Sequence, residues 1–485
     1  MIKAQIIVIL ALGLATSALA QTDSGQMSAP TPVPAYGQNN PAPPVSENPP
    51  ISAIDQPGLE PHAAPESFLL VGAHFIESVD SNIGNQVNGS SVGLITSGVG
   101  SATLQRLWKR YDVAADYVGG VSDYNRSDIG VEQLEQLDVD NRINWKRGQL
   151  ALRDSFSYLP EGSFGAGGYG GLGLGGLGAG LLGAGAFGGQ TNAFFQGNEI
   201  SLGVTPRLTN LGLADVVETL TPKSAVTMAA GYGLVHFFGN LLDEVGENLS
   251  FIGSRDFTGQ AAYDRVLNAN NQVAVLYGYQ AFDFTDVDTA FHANIIQAMY
   301  GHRISGRMDF LISAGPQFTH ISSVVTLFGF LQLPVEANNI GVAGRAILRY
   351  RFPKTNLSAS FQRFETAGSG LFAGAESNIA RVGVTRPMGR VWDLFSDIGY
   401  TKNTRLEYAA SAVNARSFSY GFAGVGVHRN VGRSFRLFAS YQFNELGFDT
   451  SCPVPGTSGA GCGHLSQRQV GTVGVDWTLR PIRLD

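Results

Sequence analysis

The sequence predicts an all-β fold, a transmembrane antiparallel up-and-down β-barrel of about 18 strands (16–18), and three observations carry that expectation. First, runs of roughly ten to fifteen residues alternate apolar and polar side chains from about residue 67 to the end of the chain. In Ser434-Phe435-Arg436-Leu437-Phe438-Ala439-Ser440-Tyr441-Gln442-Phe443, one face takes Phe435, Leu437, Ala439, Tyr441 and Phe443. Near the C-terminus Val473, Val475, Trp477 and Leu479 oppose Thr472, Gly474, Asp476 and Thr478. Second, the connections between runs alternate, one tight and basic, the next long and polar. Third, after residue 20 no stretch approaches the roughly 18–20 apolar residues of a spanning helix.

Residues 1–20 have the form of a signal peptide. Lys3 gives a positive start, Ile6 to Leu14 an apolar core, and Ala18-Leu19-Ala20 a cleavage site before Gln21. No Cys follows that site to take a lipid. Residues 21–66 are then expected to be a disordered, Pro-rich periplasmic tether, because residues 29–65 hold 11 of the 21 prolines and too few apolar groups for a core. A spacer that touches peptidoglycan or a partner is the alternative.

The barrel is expected to occupy residues 67–485. Its strands should begin near Phe68, Ala102, Asp112, Glu135, Gln149, Ile200, Ala225, Thr258 and Gln272. The series continues near Ala290, Met308, Gly341, Leu357, Ile379, Val391, Phe418, Phe435 and Arg468. Short turns fall at Trp108-Lys109-Arg110, Lys146-Arg147-Gly148, Ser305-Gly306-Arg307, Pro353-Lys354-Thr355, Pro387-Met388-Gly389-Arg390 and Asn430-Val431-Gly432-Arg433. Longer connections fall near 78–91, 122–130, 160–198, 239–254, 322–338, 367–377, 402–416 and 447–466. Short turns belong to the periplasmic side and long loops to the outside, and an even strand count puts both ends of the barrel in the periplasm. This assignment requires one long periplasmic connection, Leu211 to Pro222, with room for a short helix. Trp108, Trp145, Trp392 and Trp477 then share the periplasmic rim as an aromatic girdle.

Composition agrees. Charged residues are 15%, below the roughly 25% of soluble domains, yet mean hydropathy is near zero. The 62 glycines and 29 phenylalanines suit close β packing with an aromatic outer face. A net charge of −7 argues against nucleic acid as a partner.

Several residues invite a specific reading. Cys452 and Cys462, the only cysteines, lie in the last outer loop, where an oxidising compartment favours a disulfide; free thiols, or a metal site helped by His464, are the alternatives. Residues 162–189 hold 15 glycines in 28 positions within the outer loop at 160–198. That density forbids a stable helix. It suits either a flexible surface loop or one that enters the barrel mouth as a constriction or plug, but no phosphate-binding pattern follows it. Strand phase turns Asp138, Asp140, Arg142, Arg345, Arg349, Arg381, Asp393, Asp397 and Arg436 toward the lumen. Mutual pairing that stiffens the wall competes with solute selection as their role, and both signs occur, so no ion preference follows. Asp154 falls on the lipid phase with Leu150, Leu152 and Phe156, which requires a bulge, a rim position or a different register. The eight histidines are scattered, and no HExxH or GxSxG appears; catalysis, metal ions and cofactors are not expected.

The stretch Leu150-Ala151-Leu152-Arg153-Asp154-Ser155-Phe156-Ser157-Tyr158-Leu159-Pro160-Glu161-Gly162-Ser163-Phe164-Gly165 and the ending Trp477-Thr478-Leu479-Arg480-Pro481-Ile482-Arg483-Leu484-Asp485 resemble bacterial outer-membrane β-barrel proteins. The region 67–485, with strands such as Gln272-Val273-Ala274-Val275-Leu276-Tyr277-Gly278-Tyr279-Gln280, is similar to the β-barrel porins found with exopolysaccharide systems. The resemblance implies a role near polysaccharide secretion and supplies no site residue. Such barrels commonly end in an aromatic residue read by the assembly machinery, whereas this chain continues beyond Trp477; Val473, Val475, Trp477 and Leu479 stand as an internal version of that signal.

The expected function is passage of hydrophilic solutes or polysaccharide chains through a polar lumen in the outer membrane, selected by size and charge at a loop-formed constriction. Expected partners are outer-membrane lipid, the assembly machinery and the cargo. A plugged, non-conducting barrel with a structural or surface role is the alternative. A secreted soluble β-protein is a third, and it requires Phe435, Leu437 and Tyr441 to be buried.

Overall fold

The computed structural model describes residues 67–484 apart from 84–86, 88–91, 126–129, 160–204, 239–240, 243–247, 250, 328–330, 353, 369, 390, 433, 452 and 454–462. The strands are β1 (Phe68–Asp80), β2 (Gly93–Leu107), β3 (Tyr111–Tyr124), β4 (Gly130–Trp145), β5 (Gly148–Leu159), β6 (Arg207–Thr221) and β7 (Ser224–Phe237). A two-residue hairpin of β8 (Leu241–Leu242) and β9 (Asn248–Leu249) follows. Then come β10 (Ser254–Asn268), β11 (Asn271–Phe284), β12 (Thr289–Ser305), β13 (Met308–Leu327), β14 (Leu331–Phe352), β15 (Thr355–Thr366) and β16 (Ala375–Met388). The last are β17 (Trp392–Arg405), β18 (Ser417–Val431), β19 (Phe435–Phe448), β20 (Leu465–Thr478) and the two-residue β21 (Ile482–Arg483).

Each long strand pairs antiparallel with the next, β7 pairs with β10, and β1 pairs with β20, so the 19-stranded sheet closes on itself. Setting aside β21, which extends the edge of β1 at Phe68 and Leu69, the wall has 18 strands, as the alternation predicts. Followed round the wall, the register returns to its starting strand displaced by about 22 residues. That stagger sets a strand tilt of about 40° and a backbone radius of about 18 Å.

Burial alternates along the strands, and its sense is inverted relative to a soluble protein. Outward Phe435, Leu437, Tyr441, Val473, Val475 and Trp477 are exposed, while inward Arg436, Thr472 and Asp476 are buried. The soluble reading required the opposite. An apolar outer wall with every strand edge paired is the form of β-structure that a bilayer accepts.

Tight turns close one rim, with Gly389 (φ 82°) and Gly432 (φ 69°) in the left-handed backbone region that glycine adopts without steric cost. Two expectations are corrected. The long connection from Leu211 to Pro222 does not exist: β6 continues to Thr221, and Pro222 and Lys223 make a two-residue turn before β7. Most of 322–338 is not a loop either, because β13 runs to Leu327 and β14 starts at Leu331. Asp154 faces outward in mid-strand, and the registers of β5 with β4 and β6 are continuous, with no bulge.

The seam between first and last strands is held by side chains as well as backbone. Across it, Arg468 Nε donates to Asp80 Oδ2 at 2.7 Å, His74 Nδ1 lies 2.9 Å from Asp476 Oδ1, and Ser78 and Thr472 hydroxyls meet at 3.1 Å. Asp80 is fully buried, so Arg468→Met strands an uncompensated carboxylate and is expected to cost about 3–5 kcal/mol. The check is gel mobility after graded heating: the folded, fast-migrating band should disappear at lower temperature than in the parent. An unchanged transition counts against the pairing.

Candidate functional site: a polar lumen beneath an apolar mouth

The interior face is set by strand parity. On β4, Asp140 and Arg142 project inward two residues apart, and on β5 Arg153 arrives beside them because Asp140 and Arg153 are paired residues. Asp140 takes Arg142 Nε at 3.2 Å on one carboxylate oxygen and Arg153 Nε at 3.0 Å on the other. Arg153 Nη1 also lies 2.8 Å from Asp215 Oδ1 on β6. This four-residue network ties three adjacent strands together on the lumen side. Arg153 and Asp215 belong to it but were not among the predicted residues; cross-strand register, which one sequence leaves open, brings them there.

The other predicted lumen residues are scattered round the wall. Arg436 is buried, with Nη2 at 2.5 Å from His428 Nδ1 and a looser approach of 3.9 Å to the half-exposed Asp393. Arg345 is buried on β14 and Arg381 half-buried on β16. The side chains of Asp138, Arg349 and Asp397 lie outside those described, although their backbones sit in β4, β14 and β17. Among the described charges, carboxylates outnumber guanidiniums on the inner face of β3–β10 (Asp112, Glu132, Asp140, Asp215, Asp256 and Asp264 against Arg142, Arg153 and Arg207). On β12–β16 the balance reverses, with Arg303, Arg345 and Arg381 against Asp309 and the buried Glu365, whose carboxylate accepts from the inward Thr319. Among the described residues no group of three or more His, Cys, Asp or Glu could hold a metal ion.

Toward the long-loop rim the interior turns apolar. The connections 367–374 and 406–416 pair with each other: Phe372 bridges Ser411, Ala373 N donates to Ala410 O at 2.8 Å, and Ala412 N donates to Leu371 O at 2.8 Å. Together they fold inward. Leu371 and Phe372, both fully buried, join one apolar cluster with Leu211 and Phe237 of β6 and β7 and with Phe418 and Phe448 of β18 and β19. Those strand pairs stand on opposite sides of the barrel, seven to nine places apart in the closed order of 18. The cluster therefore crosses the mouth from wall to wall. A second cluster seats Ala373, Leu406 and Ala409 on Phe282, Phe291 and Ile321 of β11–β13.

Glycines make this possible. Gly370 has φ 75°, its carbonyl accepts from Ile252 N at 2.8 Å, and a Cβ there would lie 2.6 Å from Phe237 Cζ. The predicted constriction at 160–198 lies outside the described residues, as do Cys452 and Cys462. The crossing is made by the loops 367–374 and 406–416, which sequence reading marks only as ordinary outer connections.

At the opposite rim Trp108, Trp392 and Trp477 are exposed. Trp145 is half-buried, and its Nε1 donates to Glu218 Oε2 at 2.6 Å. Arg106 and Arg429 stack over Trp108 and Trp392 at 5.0 and 5.3 Å from the ring centres.

No family model and no curated protein matches the chain. Among solved structures, it is similar to OpdO of Pseudomonas aeruginosa at 11% identity, over 85% of this chain and 97% of that one, with a TM-score of 0.38. It is also similar to P. aeruginosa OccK2 (OpdF) in complex with glucuronate, at 11% identity over 86% and 98%, with a TM-score of 0.40. The ferric-catecholate import receptor Fiu of E. coli is similar at 8% identity over 86% and 82%, with a TM-score of 0.41.

Proposed function

We propose that this chain is an outer-membrane channel for small hydrophilic solutes, narrowed at its outer mouth by inward-folded loops. The observation that carries this reading is the inverted wall: exposed apolar side chains outside, charged and amide side chains inside a closed barrel. An 18-strand wall is wide enough for an aqueous path. The partition of charge between β3–β10 and β12–β16 favours solutes that carry separated charge or hydroxyl groups over apolar ones. The reading assigns the lumen selection and no chemistry. Its partners are membrane lipid, the assembly machinery and the cargo, and polysaccharide is the narrower cargo suggested by the resemblance to exopolysaccharide-associated porins.

A plugged barrel with a structural or surface role is the second reading, favoured by the continuity of the apolar cluster across the mouth. Planar-bilayer recordings of the refolded protein, with and without residues 162–189, separate the two. Stable open steps from the intact protein support the channel. Silence from both forms, in samples shown to be folded by heat-modifiable mobility, refutes it in favour of the plugged barrel.

A further inference from the structure

The two ends of the barrel differ in charge. The short turns at 108–110, 146–147, 222–223, 306–307 and 353–354 and the terminal stretch 479–484 each carry an exposed Lys or Arg and no carboxylate. The carboxylates that border this rim, Asp112, Glu218, Asp264, Asp309 and Asp393, are half-buried, and Glu218 accepts from Trp145 Nε1. Asp485, the last residue, lies outside the described ones. At the opposite end exposed carboxylates prevail among the described residues, with Asp283, Asp286 and Asp288 gathered ahead of β12. A ring of one sign on a low-dielectric wall holds a positive potential over the short-turn mouth.

The chain itself supplies an anionic segment that begins at this rim. Ser67 is fixed there on two sides: its Oγ accepts from Leu107 N at 3.0 Å, and its carbonyl accepts from Leu484 N at 2.9 Å. Both partners adjoin cationic segments. Residues 21–66 come directly before it, with Asp23, Glu47, Asp55, Glu60 and Glu66 and with no Lys or Arg. All but Asp23 of these carboxylates fall within residues 47–66. At about 3.1 Å per residue, the rise of a Pro-rich chain, residues 47–66 can reach about 60 Å, beyond the backbone diameter of about 36 Å.

We propose that residues 47–66 dock along the short-turn rim of their own barrel, carboxylate to cation. The covalent link at Ser67 keeps the segment at an effective concentration on the order of millimolar beside the ring, an advantage that no free anion in dilute solution shares. The contact is one of charge between exposed groups. It therefore weakens as the screening length falls from about 8 Å at physiological salt to about 3 Å at 1 M. Docked, the segment neutralises cations that otherwise draw anions to that mouth. The docking stands without the channel reading, and only its effect on solutes rests on it.

The test uses the full chain in phosphatidylcholine nanodiscs, with p-benzoylphenylalanine in place of Ile51, irradiated and mapped by peptide mass spectrometry. The benzophenone reports proximity without carrying a charge of its own. The expected result is cross-links to the short turns whose yield falls about fivefold or more in 1 M salt. The yield should fall as far in a variant with Asp23→Asn, Glu47→Gln, Asp55→Asn, Glu60→Gln and Glu66→Gln, which leaves the barrel untouched. No cross-links there, or cross-links indifferent to salt and to the five amides, overturn the proposal. So does loss of the signal in nanodiscs of roughly one quarter phosphatidylglycerol, because anionic headgroups are then the occupants of the ring. Cross-linking needs no conductance, so failure of the channel reading leaves the result legible.

Discussion

Replacing Leu371 and Phe372 with serine is expected to raise single-channel conductance several-fold while leaving the barrel folded. Both side chains are fully buried, and they link the wall at β6 and β7 to the wall at β18 and β19. Truncating each removes roughly 2–5 kcal/mol of packing, and the new hydroxyls must be desolvated to stay. The backbone bonds that remain, from Ala373 to Ala410, Ala412 to Leu371, Leu406 to Gly374 and Ile252 to Gly370, are worth about 0.5–1.5 kcal/mol net each and are outweighed by the packing removed. Conductance in planar bilayers and heat-modifiable mobility are the paired measurements. Larger steps with unchanged mobility identify these loops as the constriction. Unchanged steps in a folded variant place the narrowest point elsewhere.

Asp140→Asn is expected to destabilise the barrel by about 3 kcal/mol and to shift its ion preference toward anions. The neutral amide leaves Arg142 and Arg153 buried without the carboxylate that now receives both, and Asp215 pairs with Arg153 at 2.8 Å. The lumen loses one negative charge at the same stroke. Reversal potential under a salt gradient reads the second effect, and the temperature of the gel-mobility transition reads the first. Asp393→Asn is the contrast: its carboxylate is 43% exposed and stands 3.9 Å from Arg436, so the expected change is under about 1 kcal/mol. Equal effects from the two substitutions would mean that the Asp140 network does not hold the wall.

Strands were legible wherever a tight turn preceded them. Asp112, Gln149, Gln272, Met308 and Phe435 were expected starts, and the strands begin at Tyr111, Gly148, Asn271, Met308 and Phe435. Gly, Pro, Asn and Lys in two-residue turns fix the chain locally, so the signal is in the sequence itself. On the other rim the starts expected at Ala102 and Gly341 fall at Gly93 and Leu331. There strands rise past the apolar band, and alternation is no longer demanded of them. The connection expected at 322–338 contains Pro334, yet β14 pairs with β15 only from Gly344 onward, so Pro334 sits on a one-sided edge where its missing N–H costs little. The mouth was not legible. Leu371-Phe372 among glycines reads as an ordinary outer loop, and its partners Leu211, Phe237, Phe418 and Phe448 are distant in sequence.

The joint between β1 and β20 governs the order of events during assembly. His74 and Asp476 are 402 residues apart, and Asp80 and Arg468 are 388 apart, so the contacts that complete the cylinder need almost the entire chain to be present. Until then the growing ribbon has two unpaired rims, each a template for pairing with the wrong strand. Bringing such distant segments together is slow by its loop entropy alone. A lesion in β20 is therefore expected to act on yield as much as on performance, by prolonging the time the ribbon spends open and prone to aggregate.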